Sequence, residues 1–372
     1  MADLFSPARG TVGRGFSRRQ GLRWLLGSAA MTGVGFKAAG GWLSAGPGWT
    51  GPVTDHFDGR VFFNPGSRAG DASFLDLMRW RFSGGAADWP ERAGPDREPL
   101  AVSPLAPSVE GEIMATFVGH ATFLLQWRGL VMLTDPVWSD RCSPVPWAGP
   151  KRVRPPAVDF EALPPVDVVL LSHNHYDHLD VETLKRLDAR CRPLIVTGLG
   201  NRAFLESCGL THVVELDWWE AHTVGGALLT LVPAVHWSSR GGSGRNATLW
   251  GGFMIEAAGT RTYYAGDTGY GPHFAAIRQR LGPPDLALLP IGAYEPRWFM
   301  KPVHMNPEEA VQAHRELGAR HSVGLHFGTW QLTDEAIDAP VRDLAAARRA
   351  AGVEETTFRA PEAGETVRVT AG

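Results

Sequence analysis

From Ile113 onward, apolar positions come in short runs of the kind that form strands. Ile113–Val118 and Thr122–Trp127 predict two strands, and Arg128-Gly129 predicts a turn into a third over Leu130–Thr134. A proline-rich loop, Cys142–Pro165, follows. Val166–Leu171 is then a continuous apolar run of the buried-strand type. Helices are predicted over Asp180–Ala189, Arg202–Ser207, Pro272–Leu281, Pro307–Leu317 and Val341–Ala351. Further strands are predicted at Leu194–Thr197, Leu228–Val232, Gly252–Ile255, Thr262–Ala265, Leu286–Leu289 and Ser322–Leu325. Strands paired first in hairpins and then interleaved with helices point to an α/β chain with two sheets and helices outside them. Periodicity alone does not fix the stacking, and no internal repeat is evident.

The chain upstream has a different texture. Residues 46–110 read as an N-terminal extension, with a short amphipathic helix near Phe74–Phe82 and a loop rich in Gly, Pro and charge over Gly84–Pro99. Residues 1–45 read as a twin-arginine-type signal or anchor segment. Arg18-Arg19 forms the pair, and a diluted apolar stretch from Trp24 to Phe36 is too short to span a bilayer. Gly21 stands where such signals usually carry Phe, and a cleavage site is expected between Ala38 and Ala45. Such signals address the export of folded proteins. The expected location is therefore exported, periplasmic or membrane-associated, or cytoplasmic if the segment is not a signal. Residues 111–372 are left as the catalytic domain.

Composition narrows the chemistry. A formal net charge of −3 argues against a nucleic-acid partner. Three cysteines without a CxxC spacing make neither a disulfide framework nor a thiolate metal site. The sharpest feature is Ser172-His173-Asn174-His175-Tyr176-Asp177-His178, with three histidines and an aspartate directly after a predicted buried strand. Imidazole nitrogen and carboxylate oxygen are the donors that zinc takes when cysteine is absent. Two metals need more donors than that loop offers. His236, Asp267 and His326 are candidates, since each follows a predicted strand.

The H-x-H-x-D-H loop resembles the signature of the metallo-β-lactamase superfamily. Longer stretches resemble its N-acyl-phosphatidylethanolamine-hydrolysing phospholipase D branch. These include Phe117-Val118-Gly119-His120-Ala121-Thr122, Leu133-Thr134-Asp135-Pro136, Gly149-Pro150-Lys151-Arg152, Glu215-Leu216-Asp217-Trp218-Trp219-Glu220 and Ala265-Gly266-Asp267-Thr268-Gly269-Tyr270. The most specific is Ile291-Gly292-Ala293-Tyr294-Glu295-Pro296-Arg297-Trp298-Phe299-Met300-Lys301. The likeness spans roughly residues 55–365. It implies an αββα fold of two stacked mixed sheets with helices on the outer faces, and two Zn2+ per chain. It further implies that His173, His175 and His236 hold one zinc, that Asp177, His178 and His326 hold the other, and that Asp267 bridges. The stretch before His236 departs from the family's wording, but the His-Trp pair is kept.

The reaction so implied is hydrolysis of a phosphodiester bond, converting N-acyl-phosphatidylethanolamine to N-acylethanolamine and phosphatidic acid. Two metals can generate a hydroxide at neutral pH and neutralise phosphoryl charge, and no nucleophilic Ser or Cys is evident. Asp177 and His304 are the candidate catalytic residues; by resemblance His304 faces the site, to hydrogen-bond a phosphate oxygen or protonate the leaving alkoxide. Asp135 is either an orienter of a ligand histidine or a strand-end turn residue. His120 is expected to be structural or to stand behind the ligands. Loop tryptophans, among them Trp147, Trp237 and Trp298, suggest an apolar mouth for acyl chains, a membrane anchor or ordinary packing. The helix near Phe74–Phe82 either docks on lipid or packs as a lid. A phospholipid substrate, peripheral membrane contact and a homodimer are the expected partners. The rival readings are a lactonase acting on a sugar-phosphate lactone and an inert zinc- or lipid-binding homologue.

Overall fold

The computed structural model describes residues 46–67, 72–94, 112–127, 129–241, 244–257 and 259–370. The expected signal segment, residues 1–45, lies outside them. The first sheet has seven strands in the order β14-β1-β2-β3-β4-β5-β6. These are β1 (Glu112–Gly119), β2 (Thr122–Trp127), β3 (Leu130–Thr134), β4 (Val168–Leu171), β5 (Leu194–Gly198), β6 (Val213–Leu216) and β14 (Thr366–Thr370). The second has seven in the order β13-β12-β11-β10-β9-β8-β7. They are β7 (Ala221–Val224), β8 (Ala227–Val232), β9 (Gly252–Ala257), β10 (Thr260–Tyr264), β11 (Leu286–Pro290), β12 (His321–Leu325) and β13 (Phe358–Arg359). Each sheet is mixed: antiparallel pairs, mostly hairpins, make one part, while β3–β6 and β10–β13 run parallel, joined by the long loop between β3 and β4 and by helical crossovers elsewhere.

The stacking that periodicity left open is settled by where alternate residues go. Val168 and Leu170 enter the large core between the sheets with Leu231, Tyr263 and Leu288. Val169 and Leu171 point the other way, into a second core with Leu184 and Leu187 of helix α2 (Val181–Cys191). A strand covered on both faces has no polar face, which is why its sequence is a continuous apolar run. The helices are α1 (Phe74–Ser83), α2, α3 (Arg202–Ser207), α4 (His273–Leu281), α5 (Arg297–Met300), α6 (Pro307–Leu317) and α7 (Ala339–Ala351). The architecture is the expected αββα sandwich.

Sequence periodicity missed β6, β7, β13, β14 and the single turn α5. Strand β14 alternates exposed and buried residues and caps the free edge of β1. The extension adds apolar mass to the body, since Phe57 and Phe62 are fully buried in the inter-sheet core. Among the described residues, no helix is long and apolar enough to cross a membrane.

Candidate metal centre

The centre lies where the parallel strands of both sheets end. After β4 the chain turns through Ser172–Asp180 and enters α2. The Leu179 N–H donates to the His175 carbonyl (2.8 Å), and the Asp180 side chain accepts from the Glu182 and Thr183 N–H groups as the helix cap. The buried Arg240 closes this loop from outside, donating through Nη1 to the carbonyls of Asn174 (3.2 Å) and Leu179 (2.9 Å). Its guanidinium stacks on Tyr176, 4.2 Å from the ring centroid. From the second sheet, His236 follows β8, Asp267 follows β10, and His326 follows β12 with a left-handed backbone (φ 63°). The turn before Asp267 requires glycine. Gly266 has φ 60°, and a Cβ there would stand 2.7 Å from the Cβ of Ser172.

All seven residues proposed from the sequence as metal ligands meet in one place. His173 Nε2 lies 2.8 Å from His175 Nδ1, which lies 3.4 Å from His236 Nε2. Beside this triad, Asp177 Oδ2 is 3.4 Å from His178 Nε2 and 3.3 Å from His326 Nε2. Asp267 Oδ2 joins the two groups, at 3.2 Å from His178, 3.1 Å from His326 and 3.8 Å from His236. Tetrahedral zinc ligands 2.0–2.1 Å from an ion stand about 3.3 Å from one another, so these spacings suit shared ions. His178 Nε2 and Asp267 Oδ1 have no hydrogen-bond partner although buried, as donor atoms awaiting an ion would not. Burial pushes His173 and His236 well below the ordinary imidazole range, into the neutral ligating form. At His178 and His326 burial is outweighed by the Asp267 and Asp177 carboxylates, which raise both rings, so an ion bound there would have to displace a proton from each. Burial works to raise the carboxyls of Asp177 and Asp267, but His178 and its neighbours outweigh it and hold both well below the usual carboxylate range.

The histidine rings are held from behind. Asp135 is fully buried and accepts from His178 Nδ1 (2.6 Å), the Ser172 N–H (2.7 Å), the Ser172 hydroxyl (2.5 Å) and the Tyr264 hydroxyl (2.5 Å). Of the two roles open to Asp135 from the sequence, orienting a histidine is the one its position serves. His236 Nδ1 bonds the Val303 carbonyl (3.0 Å), which turns Nε2 inward. Sequence reasoning missed two supports, Arg240 and Asn64. Asn64 donates to the His236 carbonyl (2.7 Å) and accepts its N–H (3.2 Å). Neither residue is a ligand type, so only their position reveals them.

His304 stands at the edge of the cluster. Its Nδ1 is 4.0 Å from Asp267 Oδ2, and its carbonyl is held by Arg297 Nη1 (2.9 Å). Burial pushes its imidazole down to about 4, so it faces the centre neutral. Above lies a cavity of about 500 Å³. Its floor includes His175, Asp177, Asp267 and His326; Leu77, Trp80, Trp237, Phe299, Met300 and Val303 are among its apolar walls, with Arg245 at the rim. Helix α1 is therefore a wall. Trp80 stacks on Phe299 at 5.0 Å and donates to Asp334 (3.0 Å), while Leu75 and Phe82 face solvent. Of the tryptophans singled out in loops, Trp237 lines the cavity; Trp147 and Trp298 are exposed, and Trp218 and Trp219 pack against the core.

Fold and centre define a metallo-hydrolase. Residues 131–327 match the beta-lactamase superfamily domain, and the chain belongs to that superfamily. Within it, the chain belongs to the branch of the N-acyl-phosphatidylethanolamine-hydrolyzing phospholipases D. It is 41% identical to enzyme 1 of that name from Caenorhabditis elegans, over 69% of this chain and 76% of the relative. It is 43% identical to an uncharacterised Mycobacterium tuberculosis protein, over 72% and 73%. It is 35% identical to the mitochondrial enzyme of the same name from Saccharomyces cerevisiae, over 68% and 55%. In fold it is similar to Igni18, a metallo hydrolase from Ignicoccus hospitalis (TM-score 0.52, 21% identity, 69% of this chain and 98% of that one). It is also similar to an isothiocyanate hydrolase from Delia radicum gut bacteria (TM-score 0.55, 24% identity, 68% and 98%). The protein is a metal-dependent hydrolase.

Proposed function

We propose that the protein is a di-zinc phosphodiesterase of the phospholipase D type, converting N-acyl-phosphatidylethanolamine to an N-acylethanolamine and phosphatidic acid. The observation that carries this reading is two groups of donors joined by Asp267 at the floor of an apolar-walled cavity. The names and identities of the relatives support the substrate. His173, His175 and His236 would hold one ion and Asp177, His178 and His326 the other. When bound, the two ions supply Lewis-acid polarisation of a phosphoryl group and a water acidic enough to react at neutral pH.

The chain's own residues do the rest. The walls of Leu77, Trp80, Phe299 and Met300 take acyl chain and exclude water from the floor. His304, neutral and beside Asp267, donates a hydrogen bond to a phosphoryl oxygen or to the departing alcohol oxygen as charge develops on it. Leu75, Phe82 and Trp298, exposed on α1 and α5, present apolar surface to a membrane, so that a lipid enters from the bilayer side.

Zinc-loaded protein should be assayed against N-acyl-phosphatidylethanolamine, a bis(p-nitrophenyl) phosphodiester and a simple lactone. Phosphatidic acid released from the lipid supports the proposal; hydrolysis of the lactone alone rejects the substrate class.

A further inference from the structure

We propose that His120 is a positioning residue of the metal centre, locking the Asp177 carboxylate with its ring and the His326 loop with its main chain. The proposal rests on the metal-centre reading above and adds a residue that the ligand set does not contain. His120 occupies the tight turn between β1 and β2. That turn follows a bulge between Phe117 and Gly119, and His120 itself takes a left-handed backbone (φ 56°), which few non-glycine residues adopt. Two contacts hold it there. The His120 carbonyl accepts the backbone N–H of His326 (2.8 Å), and the ring Nε2 lies 3.1 Å from Asp177 Oδ2. An ionised carboxylate only accepts, so Nε2 carries the hydrogen and donates it.

The ring cannot turn away. It is 2% exposed, packs 4.1 Å from the His326 ring, and meets the Trp330 ring edge-on at 4.8 Å. Trp330 is itself fixed beneath the buried Arg152, whose guanidinium lies 4.3 Å from its centroid. One strained turn of the first sheet thus grips a donor from the loop after β4 and a donor from the loop after β12. Asp177 and His326 belong to the same ion in the proposed set, so His120 sets the spacing of two of that ion's three unshared ligands. Supports behind metal ligands typically change affinity by about 10–100-fold when removed.

The test is zinc stoichiometry and affinity, by metal analysis and competition with a chromophoric chelator, on wild type and three variants. His120→Ala and His120→Gln carry the same backbone penalty at a positive φ, so the difference between them isolates the side chain. The amide of Gln reaches the place of Nε2; that of Asn does not, although Asn suits the left-handed turn. We expect wild type to bind two zinc ions, His120→Ala to bind one of them about 10–100-fold more weakly, His120→Gln to recover most of that loss, and His120→Asn to stay near the alanine variant. Recovery by Asn and not Gln would reduce His120 to a turn residue. A Gln variant as deficient as the alanine variant would make it a ligand instead. Wild-type affinity in all three variants would remove its role. Each of these results overturns the proposal and leaves the metal-centre reading standing. A wild-type chain that bound no zinc would overturn both.

Discussion

The donors of this site differ in what holds them, and that predicts different consequences for neighbouring substitutions. His175 contributes Nδ1 to the first triad, in contact with His173 and His236, and among the described residues no carboxylate hydrogen-bonds its ring. Its removal opens one metal position without unmaking the fold around it. His175→Ala should therefore lower zinc from two ions per chain toward one and remove most turnover, read by metal analysis beside the lipid assay. His304 lies one step outside, 4.0 Å from Asp267 and anchored by its main chain to Arg297. His304→Ala should lower kcat by about 10²–10³-fold, the range of one lost hydrogen-bond donor to developing charge, with zinc content near wild type. Release of zinc from that variant would show that His304 is a ligand and not a donor to the substrate.

At the scale of elements, the segment before the first sheet is tied to the body by a buried histidine held between two carboxylates. His56 is stacked on Trp218 (4.3 Å between centroids) and bonded to Asp217 (2.7 Å) and Asp55 (2.6 Å). Burial works to lower its pKa, but the two carboxylates outweigh that and raise it above the ordinary 6.5. A folded-state pKa above the unfolded one stabilises fully below the unfolded value and loses that contribution as pH rises through the folded value. The wild-type advantage in melting temperature over His56→Ala should thus be largest below the ordinary imidazole pKa of about 6.5 and shrink as pH rises above it through the raised folded-state value. An advantage independent of pH would mean that the ring matters only by packing. The same segment carries α1, whose Trp80 walls the cavity. Trp80→Ala should raise KM for the lipid severalfold while leaving the rate on a small soluble phosphodiester little changed, because the small substrate needs no acyl wall.

These elements also show how far the sequence could be read. Val168–Leu171 and the histidine loop were legible because a doubly covered strand and a dense donor motif each leave a local signal. His236, Asp267 and His326 were legible only as a set, through strand ends and family likeness. Strand β7 was not, since half of its residues are exposed and its pairing with β8 is its only reason to be a strand. Strand β14 was missed although Thr366–Thr370 alternates, because its partner β1 lies some 250 residues away. His56, Asn64 and Arg240 bond to groups distant in sequence, and their residue types carry no motif.

For the whole molecule, the centre is a seam. His173, His175, Asp177 and His178 come from the end of the first sheet, and His236, Asp267 and His326 from ends of the second. The inter-sheet core holds the rest of the sandwich together through apolar burial, but at this end polar groups face one another: Asp177, Asp267 and Asp135 against His178. An ion bound to both sets replaces those contacts with bonds that cross between the sheets. Ligands that bind only the folded state stabilise it by RT ln(1 + [L]/Kd), about 2.7 kcal/mol per site at a hundredfold excess over Kd. Chelation should therefore lower the melting temperature by several degrees and make it climb with free zinc concentration, whereas a mutant lacking Asp267 should show a much flatter dependence. Because Asp267 Oδ2 lies within 4 Å of donors in both groups, Asp267→Asn tests the seam more sharply than the loss of any single histidine. A melting temperature indifferent to chelator in the wild type would mean that the sheets are joined at this end without an ion.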